Sequence, residues 1–466
     1  MTPWSDLEFA ILINEDRPEF KEYFRNLTKL LHIKVINLGE TPLRSVGVES
    51  LNNFRSPKEA DEWFWDELTN NGFSFDGPDW HACKTPLGRQ KYKAQETSIL
   101  DNGRESHRVV DKPDYELILT PKQMSEFQSV KKTGNTQEVN WFESDMQLVQ
   151  SLRSVVLIEG SQRLLDDYRQ EQKSIVSEEI VKVRALTKLR KDIESFSLRL
   201  GDAEEGKLFN VKETIYRSAD RIIDDLANYY GIVPSAGEPG LTAWQCIDKM
   251  TGDGKTNKRV LTCEGAEHLK EALSIAAELR LATYSYNNGQ KEGMSTYIPA
   301  VEHLSEKQKT KLIQETLYVK DASILYHFYY VMLRVQNLVN MLYDNEDRVL
   351  SELALKSDTL FDISNHTKGL VYARFLKYNE ALTYLERAQE TQSQDLKLLE
   401  DLLFLYSKTG KIEQAVYTAT KLLVIFQSIY SVTSNHPHIA TSYSHLGEAY
   451  RAKGEYHTNS KSIGYK

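Results

Sequence analysis

Toward its C-terminal end the chain repeats itself at a fixed interval, and that interval limits the possible folds more than any other feature. Gly369, Tyr372, Ala381, Leu385 and Ala388 set out a pattern of small, aromatic and aliphatic positions. Tyr406 stands thirty-four residues after Tyr372, and Ala415 stands thirty-four after Ala381, with Gly410 between them. A unit of that length holds two helices and a turn. Small residues at fixed places let the paired helices approach closely, while aromatic residues fill the gap to the next pair. One pair cannot bury its apolar face alone, so the pattern predicts stacked pairs, an α-solenoid.

The pattern resembles the tetratricopeptide repeat, with Gly369, Tyr372, Ala381, Leu385 and Ala388 on template places 8, 11, 20, 24 and 27. A third unit, His436-Pro437-His438-Ile439-Ala440-Thr441-Ser442-Tyr443-Ser444-His445-Leu446-Gly447-Glu448-Ala449-Tyr450, is similar to the longer kinesin-light-chain type of repeat, and Gly454 keeps its register. Beyond it Asn459 stands where a small apolar residue belongs, and His457 to Ser462 offers no second amphipathic helix, so the array is expected to end mid-repeat. The resemblance implies a protein or peptide partner held on the repeat surface.

Composition bounds the rest. At 466 residues, 40% hydrophobic and 27% charged, the chain can bury more than one core. Its net charge of -9 gives no overall footprint for a polyanion, and no nucleic-acid partner is expected. Lys182, Arg184, Lys188, Arg190 and Lys191, followed by Glu194, read as the solvated face of a mixed-charge helix. Cys83, Cys246 and Cys263 are too scattered for a disulfide framework or a Cys-x-x-Cys metal site and read as buried, reduced thiols. No apolar run approaches the roughly 20 residues of a membrane span. The acidic residues Asp6, Glu8, Glu15 and Asp16 stand where a signal peptide would be basic and then apolar, so a cytoplasmic location is expected.

Periodicity divides the chain into an α+β domain over 1–125, a helical domain over 126–345 and the repeats over 346–466. Strands are expected at Leu7–Ile13, Ile33–Leu38, Gly72–Phe75 and Glu116–Leu119, helices at Pro18–Leu31 and Pro57–Thr69, and a polar loop over Gln90–Asp114. After Phe127 strand signals nearly vanish. Long helices are predicted at Val211–Tyr230, Glu264–Tyr286 and Glu306–Leu342, with breaks at Pro234–Gly240, Gly252–Lys258 and Asn287–Gly293. The aromatic run Tyr326, Phe328, Tyr329 and Tyr330 is expected to be core.

The most suggestive chemistry lies at the start. In Trp4-Ser5-Asp6-Leu7-Glu8-Phe9, strand alternation puts Asp6 and Glu8 on one face, ahead of an apolar stretch. Two carboxylates so close are costly unless a cation sits between them, and hard oxygen ligands suit magnesium carrying a nucleotide's phosphates. The tripeptide alone reads first as a solvated strand end. With its flanks, however, it resembles the Ser-Asp-acidic strand of nucleotidyltransferases related to protein-PII uridylyltransferase.

So do Leu31-His32-Ile33-Lys34-Val35-Ile36-Asn37-Leu38-Gly39-Glu40-Thr41, Gly72-Phe73-Ser74-Phe75-Asp76-Gly77 and Cys83-Lys84-Thr85-Pro86-Leu87-Gly88-Arg89, together with the helical blocks Ile215–Tyr230 and Leu269–Tyr284. The resemblance covers roughly residues 1–290. It implies an α+β catalytic domain that transfers a nucleoside monophosphate from an NTP to a protein hydroxyl. Asp6 and Glu8 would hold Mg2+, and Asp76, with Asp79 behind it, would supply a third carboxylate. Lys84 and Arg89 are basic residues near the same blocks. In that superfamily a Gly-Ser pair about ten residues ahead of the acidic strand grips the triphosphate. Only five residues precede Asp6 here, so the chain is expected to begin too late for the whole site, to be a fragment, and to be impaired in turnover. The competing expectation is a non-catalytic scaffold acting through its repeats.

Overall fold

The computed structural model describes residues 8–37, 85–88, 115–129, 140–195, 209–252, 259–287, 292–295, 316–319, 321–344, 355–430 and 436–453. Helices dominate them. In the first part residues 8–10 lead into β1 (Ile11–Leu12), which pairs in parallel with β2 (Ile118–Leu119), Ile11 opposite Ile118. The turn Thr85 to Gly88 joins this pair, since Leu117 N donates to Pro86 O at 3.0 Å. Gly88 adopts φ +63°, and a Cβ there would lie 1.9 Å from the Tyr115 carbonyl oxygen, so only glycine lets the turn close on the strand. Helix α1 (Pro18–Asn37) is tied to the pair by Arg25, which donates to both carboxylate oxygens of Glu116 at 2.5 and 2.9 Å.

The strand expected at Ile33–Leu38 is not formed as far as Asn37, because α1 runs through those residues. Extending an existing helix costs one residue's ordering per hydrogen bond, whereas a strand needs a partner edge, so Ile33, Val35 and Ile36 follow the helix despite their β-branching. The expectations for Gly72–Phe75, Pro57–Thr69 and Gln90–Asp114 fall outside the described residues.

The apolar face of the β-pair is covered by α2 (Pro121–Ser125), α3 (Trp141–Ser144), α4 (Met146–Arg153) and α5 (Gln162–Ile175). Their core joins Tyr115, Leu117, Met124 and Phe127 to Leu148, Leu152, Leu165 and Tyr168. Thr120 starts α2 with a reciprocal cap, accepting from Gln123 N while Gln123 Oε1 accepts from Thr120 N.

A second, larger core is built by α6 (Glu178–Ser195), a π-type stretch Val211–Tyr216 that continues into α7 (Arg217–Tyr229), α8 (Ala243–Met250), α9 (Cys263–Asn287) and α10 (Ser323–Asp344). The long helices expected at Val211–Tyr230 and Glu264–Tyr286 are both present.

Three expectations are corrected in this region. A three-stranded sheet sits beside the helices, β3 (Phe209–Asn210), β4 (Gly293–Ser295) and β5 (Leu317–Tyr318), so the predicted helix over Glu306–Leu342 is not continuous: it is interrupted at β5 and helical over Ser323–Asp344, while residues 306–315 lie outside the described residues. Strands of two or three residues carry no readable alternation, and their ladder partners lie far along the chain. The basic helix face is also not wholly solvated. Arg184 is buried against the Phe142 ring at 4.8 Å, and Lys188 pairs with Asp192 at 3.0 Å and with the fully buried Asp225 at 2.8 Å. Of the thiols, Cys246 is buried while Cys263 is exposed; Cys83 is outside the described residues.

The repeats follow as α11 (Asn365–Arg374), α12 (Tyr378–Thr391), α13 (Leu396–Lys408), α14 (Ile412–Tyr430) and α15 (Pro437–Lys453), each packed on the next. Ser364 and Asp395 cap α11 and α13 by accepting the backbone N–H of Thr367 and Leu398. Gly410, at φ +73°, makes the left-handed turn between α13 and α14. Ala381, Ala388 and Ala415 are all buried at the helix contacts, as the spacing predicts. The stack does not stand apart from the second core. Leu370, Val371 and Phe375 of the first repeat belong to it, with the Phe375 ring 5.5 Å from Phe209 and 4.7 Å from Tyr326.

Candidate functional site

Where α10 meets the first repeat, four tyrosines gather. Phe328 and Tyr329 of the aromatic run point into the core as expected, but Tyr326 and Tyr330 are only partly buried. Tyr326 lies 5.5 Å from Tyr372 on α11, and Tyr372 lies 5.2 Å from Tyr384 on α12 (ring centroids), so three successive helices each supply a ring. Around these rings stand cations. Lys377 Nζ is 5.5 Å from the Tyr326 ring and 5.7 Å from Tyr372; Lys368 Nζ is 5.8 Å and the Arg387 guanidinium 5.9 Å from Tyr384.

Burial pushes the Tyr330 phenol up to about 12, with Tyr372, Tyr384 and Tyr326 adding to the effect. Burial also raises Tyr372, and its Tyr384 neighbour raises it further. The Tyr330 and Tyr372 phenols therefore stay protonated near neutral pH, and the face sets ring surfaces beside three positive charges. Such a surface can hold an extended or helical segment that brings aromatic or aliphatic groups to the rings and carboxylates to the cations.

Polar ties fix the successive repeats beside this face. His366 Nε2 on α11 is 3.0 Å from Asp401 Oδ2 on α13. Tyr406 on α13 donates to Glu386 on α12 at 3.3 Å, and Lys411 lies 3.5 Å from the same carboxylate. Burial, followed by that carboxylate, drives the Tyr406 phenol up to about 12. At the other end of the stack the His436 ring lies over Tyr430 at 3.6 Å.

Of the residues that the sequence pointed to for metal and nucleotide, Glu8 is described: it is exposed and lies ahead of β1, not on the strand itself. Asp6 and Asp76 lie outside the described residues, as do Asp79, Lys84 and Arg89, so the juxtaposition of the three carboxylates is not described. Among the described residues no group of three or more His, Cys, Asp or Glu could hold a metal ion. No described helix is long and apolar enough to cross a membrane.

The tyrosine face escaped sequence reasoning because its members come from three helices. The one local signal was the four-residue spacing of Tyr326 and Tyr330, which puts both on one side of α10.

These elements define a helical-repeat protein, in which antiparallel helix pairs stack onto a helical bundle. Among proteins of known sequence, the chain is 27% identical over 156 residues to a TPR repeat-containing protein of Methanocaldococcus jannaschii, covering 32% of this chain and 24% of that protein. That similarity supports the tetratricopeptide reading of the repeats. The chain thus spans about a quarter of the length of the relative it matches. No protein-family model matches the chain, and no solved structure matches it.

Proposed function

We propose that this chain is a protein-interaction scaffold of the cytoplasm, binding an acidic peptide segment on the face formed by Tyr326, Tyr330, Tyr372 and Tyr384 with Lys368, Lys377 and Arg387. The observation that carries the reading is the set of cations seated against tyrosine rings on three stacked helices. Half-buried rings supply area at small entropic cost, and the cations select the sign of the partner. Fluorescence anisotropy with labelled acidic, neutral and basic peptides tests it. Acidic peptides should bind best, more weakly as salt rises, and the charge reversal Lys368→Glu with Lys377→Glu should weaken them about tenfold or more, on the order of 1.4 kcal/mol. Equal binding of basic peptides, or no effect of the reversal, would overturn it.

A second reading is nucleotidyl transfer from an NTP to a protein hydroxyl, with Asp6, Glu8 and Asp76 holding Mg2+. What supports it is the resemblance of the N-terminal blocks, together with the bonding of two of them to one intervening segment: β1, downstream of Glu8, runs parallel to β2, and Leu117 N beside β2 donates to Pro86 O of the Thr85-Pro86-Leu87-Gly88 block. A metal between the carboxylates would steady the leaving pyrophosphate. Transfer of labelled nucleotide to a protein acceptor, lost in Asp6→Asn and Glu8→Gln, is the expected outcome. Transfer that survives both substitutions would sink this reading.

A further inference from the structure

Between the first and second cores two arginines rest on neutral hydrogen-bond partners, and a carboxylate, Asp224, pulls on one of them, Arg153. Arg184, nearly fully buried, donates to the Gln128 carbonyl at 2.9 Å and rests on the Phe142 ring. Arg153 donates through Nε to Asn228 Oδ1 at 3.0 Å. Both partners are neutral, and among the described residues neither guanidinium forms an ion pair. The two line a common void of about 10 Å³, room for one water, onto which Gln150 also faces. Gln150 Oε1 is buried with no hydrogen-bond partner. Burial lowers the pKa of both arginines, and Arg153 lowers that of Arg184 further. Keeping two guanidiniums charged in this setting is costly unless an anion compensates them.

On its other side Arg153 opens into a cleft of about 90 Å³ between α4, α5, α7 and α8. Arg169 and Lys173 contribute two more cations; Asp224 is the single carboxylate lining it among the described residues, and its Oδ1 already accepts from Ser154 Oγ at 3.0 Å. Arg169 spends donors on the Glu238 and Pro239 carbonyls and lies 3.5 Å from Asp166, but Lys173 is exposed at the rim. The lining is otherwise largely apolar, with Val155, Ala227, Ile232, Val233 and Leu241.

We infer that this cleft binds a small organic phosphate, with the phosphate on Arg153 and Lys173 and a compact apolar body against Ile232 and Leu241. A dianion answers the excess of cations over the single carboxylate, and a lining that is part cationic and part apolar selects a ligand that is part anionic and part apolar. None of the residues lining it is among those named for either reading above, so it stands whichever of those readings holds.

Calorimetry on the full chain, with chelator present so that no metal-dependent site contributes, tests this with phenyl phosphate, inorganic phosphate and phenol. Phenyl phosphate should bind at least about tenfold more tightly than either fragment, because each offers half of the match. Lys173→Ala, at an exposed position, should weaken it about threefold, and Arg153→Lys about tenfold while circular dichroism stays unchanged. Should Arg153→Lys fail to fold, Lys173→Glu, which is expected to abolish binding, takes its place. Inorganic phosphate binding as tightly as phenyl phosphate would overturn the apolar subsite. Phenol binding as tightly as phenyl phosphate, or no heat from phenyl phosphate up to about 10 mM, would overturn the proposal altogether.

Discussion

Gly369 on α11 and Leu385 on α12 touch so closely that a Cβ on the glycine would lie 2.2 Å from Leu385 Cδ2 and 3.2 Å from the Ala381 carbonyl oxygen. The helix pair of the first repeat is therefore set at a distance only glycine permits. In an open helix, replacing glycine with alanine stabilises by about 1 kcal/mol. Here overpacking outweighs that gain, and Gly369→Ala should lose about 1–3 kcal/mol in urea unfolding. A variant as stable as the parent would show that the pair has slack.

Ala381 has no exposed surface, whereas its neighbour Glu380 is exposed. Ala381→Trp should cost on the order of 1–3 kcal/mol or more, while Glu380→Trp stays within about 0.5 kcal/mol. Equal shifts in melting temperature for the two variants would break the repeat register.

Lys188 is what makes the burial of Asp225 tolerable. Its ammonium lies 2.8 Å from Asp225 Oδ1, and Asp225 Oδ2 has no hydrogen-bond partner. Removing the cation strands a carboxylate inside the helix packing, so Lys188→Ala should destabilise by about 3–5 kcal/mol. Adding Asp225→Asn should recover much of that loss, which a double-mutant cycle measures. Strictly additive losses would mean that the pair is not coupled.

The acidic side of α7 sets a pH dependence. Burial raises the Asp224 carboxyl above its ordinary value, against the opposing pull of Lys188, Ser154 and Arg153. A carboxyl whose pKa is higher in the folded than in the unfolded chain contributes stability that is fully present below the unfolded value, near 3.9, and is lost as pH rises through the folded value. Asp224→Asn removes that loss and can still accept from Ser154. The variant's melting temperature, relative to the parent's, should therefore be higher at pH 8 than at pH 4. A difference that does not change with pH would count against burial as the cause.

Much of the helical architecture could be read from the residues themselves. The thirty-four-residue interval, carried by Tyr372, Tyr406, Ala381 and Ala415, is a local signal, because helix pairs repeat the same contact between neighbours in the chain. The long amphipathic stretches of α7 and α9 announced themselves for the same reason, as did the strand approached from Glu8.

What the chain could not display locally was anything made by distant partners. The three-stranded sheet unites residues 209, 294 and 317, and the helix expected to span its last strand gave way because the ladder offered Leu317 and Tyr318 a partner edge. Lys188 read as one solvated charge among five until α7 placed Asp225 beneath it. Likewise the tyrosine face and the Arg153 cleft belong to no single helix. Sequence alone determined where helices form and that pairs of them stack, because both follow from contacts a few residues to one repeat apart. Only the tertiary structure decided which charges are buried and which side chains meet, because those are set by the packing of helix faces brought together from far apart in the chain.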